Sequence, residues 1–439
     1  MTLACALPSF AWRNSIWVPP WDKEALPSMQ ANAKHLDESN PVWYTLDAAG
    51  VVTKVWNAEN PSWRAAMQGT ELIPTIQNYV GDAWNGPLVA TLISTADSRE
   101  RHAEEITRLV VASAFDGIDI DYESVPSASR NDFTAFVRVL ADKLHATGKK
   151  LSITVHAKTS DSTTRRGPGS QDWAAIGAAA DSVKIMVYNF HWSGSDAGAV
   201  TPLTWLDQVA TYARGVIAPS KVVIGLPFYG FDWVGTTGKH VTYASAMALA
   251  QSKGAKIDRD PEGGEAMFRY ADHTVYFQDA VSYLAKVDLL KSKHADIGGV
   301  AHWAAGQEDP KVWFAIRTGG LTADNGNGAT PVTADFTIAG PSTLKLAQGR
   351  ETTASFELVA IDGFAGAANV TLQQVPGITL TAGSTTVAAN QPVSVQFRVA
   401  PTVAPGRYTL VLRFTSGTLL REQRVTLEVA RAAARRRSV

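Results

Sequence analysis

Eight segments with the composition of buried strands recur in the first three-quarters of the chain, most of them separated by stretches of helical periodicity. They fall at 15–19, 41–46, 71–77, 115–122, 151–156, 183–188, 221–228 and 297–303. Apolar residues three or four apart mark helices at 129–147, 203–216 and 278–293. Strands that alternate with helices form parallel sheets, and eight such units predict a closed (β/α)8 TIM barrel of the α/β class. In that fold the loops at the C-terminal ends of the strands carry the chemistry.

The fourth segment holds the strongest chemical signal. Phe115-Asp-Gly-Ile-Asp-Ile-Asp-Tyr-Glu123 places four acidic residues in nine positions. Alternate side chains of a strand share a face, so Asp119, Asp121 and Glu123 line up on one side and Ile118, Ile120 and Tyr122 on the other. A row of carboxylates is repulsive and costly to desolvate, so it gives a fold no stability. A solvated edge strand would tolerate it, but the apolar opposite face and the apolar stretch at 106–115 argue for burial. Clustered carboxylates push at least one pKa upward, as an acid catalyst near neutral pH requires. Glu123 stands where the fourth strand would end, the position expected of an active site.

At 439 residues the chain exceeds a single core, and two domains are expected. All 13 tryptophans lie between Trp12 and Trp313, which marks a catalytic barrel at 15–319. A Gly/Asn/Thr/Pro linker at 320–334 follows. Residues 335–430 alternate apolar and polar positions between close turn signals, the pattern of a small antiparallel, immunoglobulin-like β-sandwich. The basic tail 431–439 reads as a frayed end, and 1–14 as an N-terminal segment.

Composition narrows the function. A net charge of −1 gives no electrostatic reason to expect nucleic acid as a partner. No segment reaches the roughly 18 apolar residues of a membrane span. The single Cys5 excludes an internal disulfide framework, and no His–carboxylate spacing of a metal site is present around His156 or His191. No cofactor is expected, and the chain reads as a monomer. Met1-Thr-Leu-Ala-Cys-Ala-Leu-Pro8 lacks the charged start of an export signal, although Thr-Leu-Ala-Cys resembles a lipoprotein cleavage site.

Asp116-x-x-Asp119-x-Asp121-x-Glu123 resembles the signature of glycoside hydrolase family 18, whose best-known members are chitinases. Met186-Val-Tyr188-Asn189 is similar to the family's sixth-strand motif, and Lys221-Val-Val-Ile-Gly-Leu-Pro-Phe-Tyr-Gly230 to its seventh strand. Gly298-Gly-Val-Ala-His-Trp303 with Gly306-Gln-Glu-Asp-Pro310 is similar to its eighth. Pro41-Val-Trp-Tyr-Thr-Leu-Asp-Ala-Ala-Gly50 and Pro74-Thr-Ile-Gln-Asn78 resemble the bacterial branch that includes spore-cortex peptidoglycan glucosaminidases.

The resemblance implies a substrate-assisted, retaining mechanism in which the sugar's own acetamido group is the nucleophile. It makes Glu123 the general acid and then the base. Asp121 would orient the acetamido group, and Asp119 would share a proton or hydrogen bond with Asp121. Tyr188 would hold the acetamido carbonyl, and Trp303 would form an apolar floor under the sugar. Met186 and Asn189 belong to the same substrate-binding set, Asn189 replacing the aspartate of many chitinases. Asp116, of opposite strand parity, is expected to satisfy backbone groups. Trp21, Trp84, Trp192 and Trp233 are placed in loops at strand ends, where each serves either a further sugar subsite or general packing, and 240–275 is placed as a small α+β insertion walling the groove.

The implied partner is a polysaccharide containing N-acetylglucosamine, cleaved at β-1,4 bonds: chitin, peptidoglycan or N-glycans. Such polymers lie outside the cytoplasm, so a secreted or cell-envelope protein is expected, its export signal incomplete or missing in this chain. The alternative is a catalytically weak, lectin-like barrel, which the presence of Glu123 disfavours. The sandwich holds no tryptophan and a single tyrosine, Tyr408, so a spacer or protein-contacting role fits it better than sugar stacking.

Overall fold

The protein is described here by a computed structural model, which covers residues 12–55, 58–318, 335–341, 343–361, 366–417 and 419–431. Cys5, the first eleven residues, the 320–334 linker and all but the first residue of the basic tail lie outside the described residues. The chain divides into two compact units, Met1–Asn325 and Gly326–Val439.

The first unit is built on eight strands: β1 Arg13–Val18, β2 Glu38–Leu46, β3 Thr75–Gln77, β4 Gly117–Asp121, β5 Lys150–His156, β6 Ser182–Met186, β7 Val222–Pro227 and β8 Gly299–Trp303. Each pairs in parallel with the next, and β8 pairs with β1, so the sheet closes on itself. The expected third strand is interrupted, with Glu71–Leu72 separate from Thr75–Gln77. Pro74, which has no N–H for a ladder, stands in the gap.

Helices α1 Ala96–Ala112, α2 Arg130–Ala146, α3 Trp173–Ala179, α4 Leu203–Val216 and α5 Ala280–Lys293 are among those that cover the barrel. Thr95 opens α1 through a capping box with Ser98, and Ala103, Ile106 and Val110 form its buried stripe. Ala114, at φ 52°, reverses the chain into β4. Gly117 begins that strand because a Cβ there would lie 2.4 Å from the Lys150 carbonyl oxygen. Ile118 and Ile120 are fully buried in the core shared with Phe133 and Phe136 of α2. Their neighbours Asp119 and Asp121 therefore turn into the barrel.

The insertion between β7 and β8 begins earlier than 240. A five-stranded antiparallel sheet runs in the order Thr237–Thr242, Tyr229–Val234, His273–Phe277, Ala266–Tyr270, Asp258–Arg259, with helix Tyr243–Lys253 packed on it. The aromatic run after β7 (Tyr229, Phe231, Trp233) had the alternation of a strand, and that strand starts the insertion. Trp233 is thus a strand residue rather than a loop residue, and Trp84 lies in a short hairpin with Tyr79.

The second unit is a β-sandwich. One sheet orders Asp335–Ala339, Glu351–Ile361, Gln391–Val399 and Ile378–Ala382; the other orders Thr343–Ala347, Leu419–Ala430, Gly406–Ser416, Ala367–Leu372 and Thr386–Ala388. Phe356, Phe397 and Phe414 fill the space between them. One pair departs from the antiparallel expectation, because Thr343–Ala347 runs parallel to Leu419–Ala430. No helix among the described residues is long and apolar enough to cross a membrane.

Candidate active site

Strand register assembles the site in layers. Asp119 stands level with Thr75 on β3 and Ser152 on β5. Those two hydroxyls donate to its carboxylate at 3.0 and 2.7 Å, joined by Thr154 at 3.1 Å and the Trp17 indole N–H at 3.1 Å. Lys184, fully buried on β6, donates to Glu38 at 2.6 Å and lies 3.6 Å from Asp119. One layer up, Asp121 pairs with Gln77, whose amide donates to Asp121 Oδ2 at 2.9 Å. Asp119 acts on Asp121 through its charge, while the hydrogen bonds of the two carboxylates go to other residues. Asp119 has its oxygens filled by Trp17, Thr75, Ser152 and Thr154, and Asp121 faces Gln77 instead.

Glu123 lies two residues past the end of β4, at the mouth of the barrel. Asn78 clamps its backbone, accepting from the Glu123 N–H at 2.8 Å and donating to its carbonyl at 2.9 Å. His156, the last residue of β5, brings Nε2 to 3.6 Å from Glu123 Oε2.

The charges below balance and those above do not. Arg13, Lys150 and Lys184 pair with Glu38, Glu71 and Asp119. Among the described residues no lysine or arginine pairs with Asp121 or Glu123. Burial, reinforced by the charge of Asp119, lifts Asp121 to about 7 even though the Gln77 hydrogen bond opposes it. Burial and the neighbouring Asp121 hold Glu123 well above the ordinary glutamate range. Two carboxylates with raised and linked affinities for protons share their titration as a pair.

Tyr188 follows β6 and is partly buried; burial first, then Tyr229 and the Asp121, Glu123 and Asp119 charges, raise its phenol well above the ordinary range. Its ring meets that of Tyr229 edge-on, with centroids 6.1 Å apart. Tyr229 in turn donates to Asn189 Oδ1 at 2.6 Å. Met186 ends β6 level with His156. Trp303 ends β8, tilted against Trp17 with centroids 5.9 Å apart. The structure therefore brings Asp119, Asp121, Glu123, Tyr188, Met186, Asn189 and Trp303 to the C-terminal mouth. Trp21 and Trp192, 57% and 52% exposed, follow β1 and β6 at the same end.

Trp233 takes the packing role and not that of a sugar subsite. It is 1% exposed, which leaves no ring face for a sugar, and its indole N–H donates to the Trp192 carbonyl at 3.1 Å. The insertion also holds the start of α4 in place, because buried Glu265 accepts from the Val200 and Thr201 N–H groups at 2.7 and 2.8 Å. Asp116 points away from the mouth and accepts from the Leu72 N–H at 2.8 Å. Asp116→Ala is expected to lower stability by about 1 kcal/mol with kcat unchanged, checked by urea denaturation beside an assay.

Gln77, Asn78, His156 and Lys184 did not emerge from sequence reasoning as site residues. The signal was parity: Thr75 and Gln77, Ser152, Thr154 and His156, and Lys184 with Met186 are polar or large side chains at the inward positions of otherwise apolar strands. Among the described residues no cluster of three His, Cys, Asp or Glu could hold a metal ion.

The chain is 29% identical over 260 residues to the cortical fragment-lytic enzyme of Bacillus subtilis, spanning 57% of this chain and 60% of that protein. It is 25% identical to endochitinase 1 of Metarhizium robertsii over 265 residues, 53% of this chain and 61% of that protein. The chain thus spans about three-fifths of the length of these curated relatives. A chitinase from Chromobacterium violaceum superposes with a TM-score of 0.66 at 25% identity, over 70% of this chain and 99% of its own. The family model of glycosyl hydrolases family 18 matches residues 81–308, just over half of the chain. With that match set on a closed barrel whose fourth strand delivers the acidic signature to its mouth, the chain belongs to glycosyl hydrolases family 18.

Proposed function

We propose that this chain is a glycosidase that cleaves β-1,4 bonds beside N-acetylglucosamine by a retaining, substrate-assisted mechanism. The observation that carries it is Asp121 Oδ1, a buried carboxylate oxygen with no hydrogen-bond partner. Buried polar atoms are nearly always satisfied, and one left open beside a proton-bearing Glu123 fits a substrate N–H. An acetamido group supplies that N–H together with the carbonyl oxygen that attacks.

In this reading Asp121 takes the acetamido N–H, and Tyr188 donates to the carbonyl, whose oxygen then bonds to C1. Positioning makes that intramolecular attack effective. The C1–O bond breaks as Glu123 delivers its proton to the leaving oxygen, giving an oxazolinium ion. Asp121 stabilises the developing positive charge. Glu123, now a carboxylate, takes a proton from water as the water oxygen bonds to C1 and the ring of the intermediate reopens. Trp303 supports the sugar's apolar face, and Met186, Asn189, Trp192 and Trp21 line the approach.

The relatives are a cortical fragment-lytic enzyme, an endochitinase and a chitinase, and we take peptidoglycan and chitin as the polymers to test. Both carry the N-acetyl group, so both belong in the first experiment: purified sacculi and chitin oligosaccharides, with products identified by mass spectrometry. Both polymers lie outside the cytoplasm, so the protein acts in the envelope or beyond it. Cleavage should leave the β-anomer first, seen by proton NMR before mutarotation. An α-anomer would mean direct inversion by water and would overturn the mechanism; no cleavage of either polymer would favour a binding role.

A further inference from the structure

We propose that His156 is a positioning residue that hydrogen-bonds Glu123 only after Glu123 has given up its proton, an inference that rests on the reading of Glu123 as the acid. The imidazole closes β5 with the inward parity of Ser152 and Thr154. Its backbone N–H is held by Gln171 Oε1 at 2.9 Å. The loop after β5 folds over the ring at Gly167, φ 79°, where a Cβ would lie 2.7 Å from Nε2. Only a residue without a side chain lets the loop approach that closely.

Nε2 is sealed from solvent and has no hydrogen-bond partner. It faces Glu123 Oε2 across 3.6 Å, a few tenths of an ångström beyond bonding reach. A buried nitrogen left unsatisfied beside the reacting carboxyl, in a ring otherwise fixed by its strand and loop, calls for a partner that arrives during the reaction. Burial, with a smaller contribution from the Arg165 charge, pulls the imidazole down to about 4, so it works as a neutral ring. As the Nε2–H tautomer it offers one donor. A protonated carboxyl gains little from that donor, whereas a carboxylate gains a charge-assisted bond.

The contact is therefore weak in the resting enzyme and strong as negative charge develops on Glu123, the differential that accelerates a step. The Glu123 proton passes to the glycosidic oxygen as the C1–O bond breaks, and the Nε2 proton stays on His156. The contact loosens again when Glu123 takes a proton from water. The other ionisable groups around the pair are Asp121, Asp119, Tyr188 and Tyr229, with Arg165 beside the imidazole. A donor to the charged form lowers the pKa of Glu123, so its loss raises it.

The test compares wild type, His156→Leu, which keeps bulk without a donor, and His156→Gln, which restores one. Carbon-13 NMR of the Glu123 carboxyl, assigned by Glu123→Gln, should titrate about one unit higher in the leucine variant and close to wild type in the glutamine variant. On the oligosaccharide that wild type cleaves, His156→Leu should lower kcat about tenfold with KM within about twofold, and His156→Gln should recover most of it. An unchanged titration in the leucine variant, or a glutamine variant no faster than leucine, overturns the proposal. Should the leucine variant fail to fold, Gly167→Ala displaces the ring and should give the same upward titration; its absence counts equally against the idea. A wild type that cleaves nothing sinks the hydrolase reading instead, and the carboxyl titration still decides whether His156 holds Glu123.

Discussion

Glu123→Gln should lower turnover of N-acetylglucosamine oligosaccharides by roughly 10²–10⁴-fold, the range for losing a positioned general acid. The expectation follows from where the residue sits. Glu123 is the one carboxyl placed past the end of β4, clamped through its backbone by Asn78 rather than through its side chain. That leaves the carboxyl free for proton transfer while the backbone stays fixed. The amide has nearly the same shape and removes a group whose ionisation is disfavoured by burial, so fold and sugar binding should persist. An aryl glycoside, whose leaving group needs little protonation, should lose far less than an oligosaccharide in the bond-breaking step. Steady-state kinetics on both substrates, with calorimetric binding to the inactive variant, checks this. Retention of more than about a tenth of wild-type turnover on the oligosaccharide would remove Glu123 from the acid role.

The sequence carried the fold further than the site. Eight strands were legible because parallel barrel strands are buried on both faces and read as apolar runs. Their bounds shift mostly by a residue or two, the largest difference being the break at Pro74. The insertion was read too short because Tyr229 belongs to a run that reads as the end of the seventh barrel strand and Trp233 reads as a loop aromatic. Only the cross-strand pairing of Tyr229–Val234 with Thr237–Thr242 separates those uses.

In the site, the residues named from sequence are those whose chemistry is unusual in any context: a row of carboxylates, an aromatic closing a strand. Gln77, Asn78, Lys184 and His156 are ordinary residues made specific by register. Gln77 matters because β3 and β4 align it with Asp121, and Lys184 because β6 carries it level with the interior acids. The hydrogen-bond donors around Asp119 and Asp121 were missed for the same reason. Parity placed both inside the barrel, but the strands on either side decided which donors each would meet.

Asp121→Asn should move activity and stability in opposite directions. Catalysis loses the charge that answers the oxazolinium ion, a fall of about 10²-fold or more. Stability has the sign of a carboxylate whose folded pKa lies above its unfolded value. Burial and Asp119 raise Asp121 to about 7, so the folded chain holds its proton more tightly than the unfolded chain does. The stabilising contribution is complete below the unfolded value near 4 and is lost as pH rises through about 7. Over that window the linkage is worth at most about 4 kcal/mol, shared with Glu123 because the two titrate together. Asparagine carries no charge at any pH and can still accept from Gln77. The melting temperature of the variant should therefore match wild type near pH 4 and exceed it at pH 8 by roughly 3–8 °C. Calorimetry at the two pH values reads this directly. A variant that is equally displaced at both would show that the Asp121 carboxylate is stabilised by some cation or solvent path besides Gln77, strongly enough to offset burial and the Asp119 charge, and that its proton is not the one the site is built to hold.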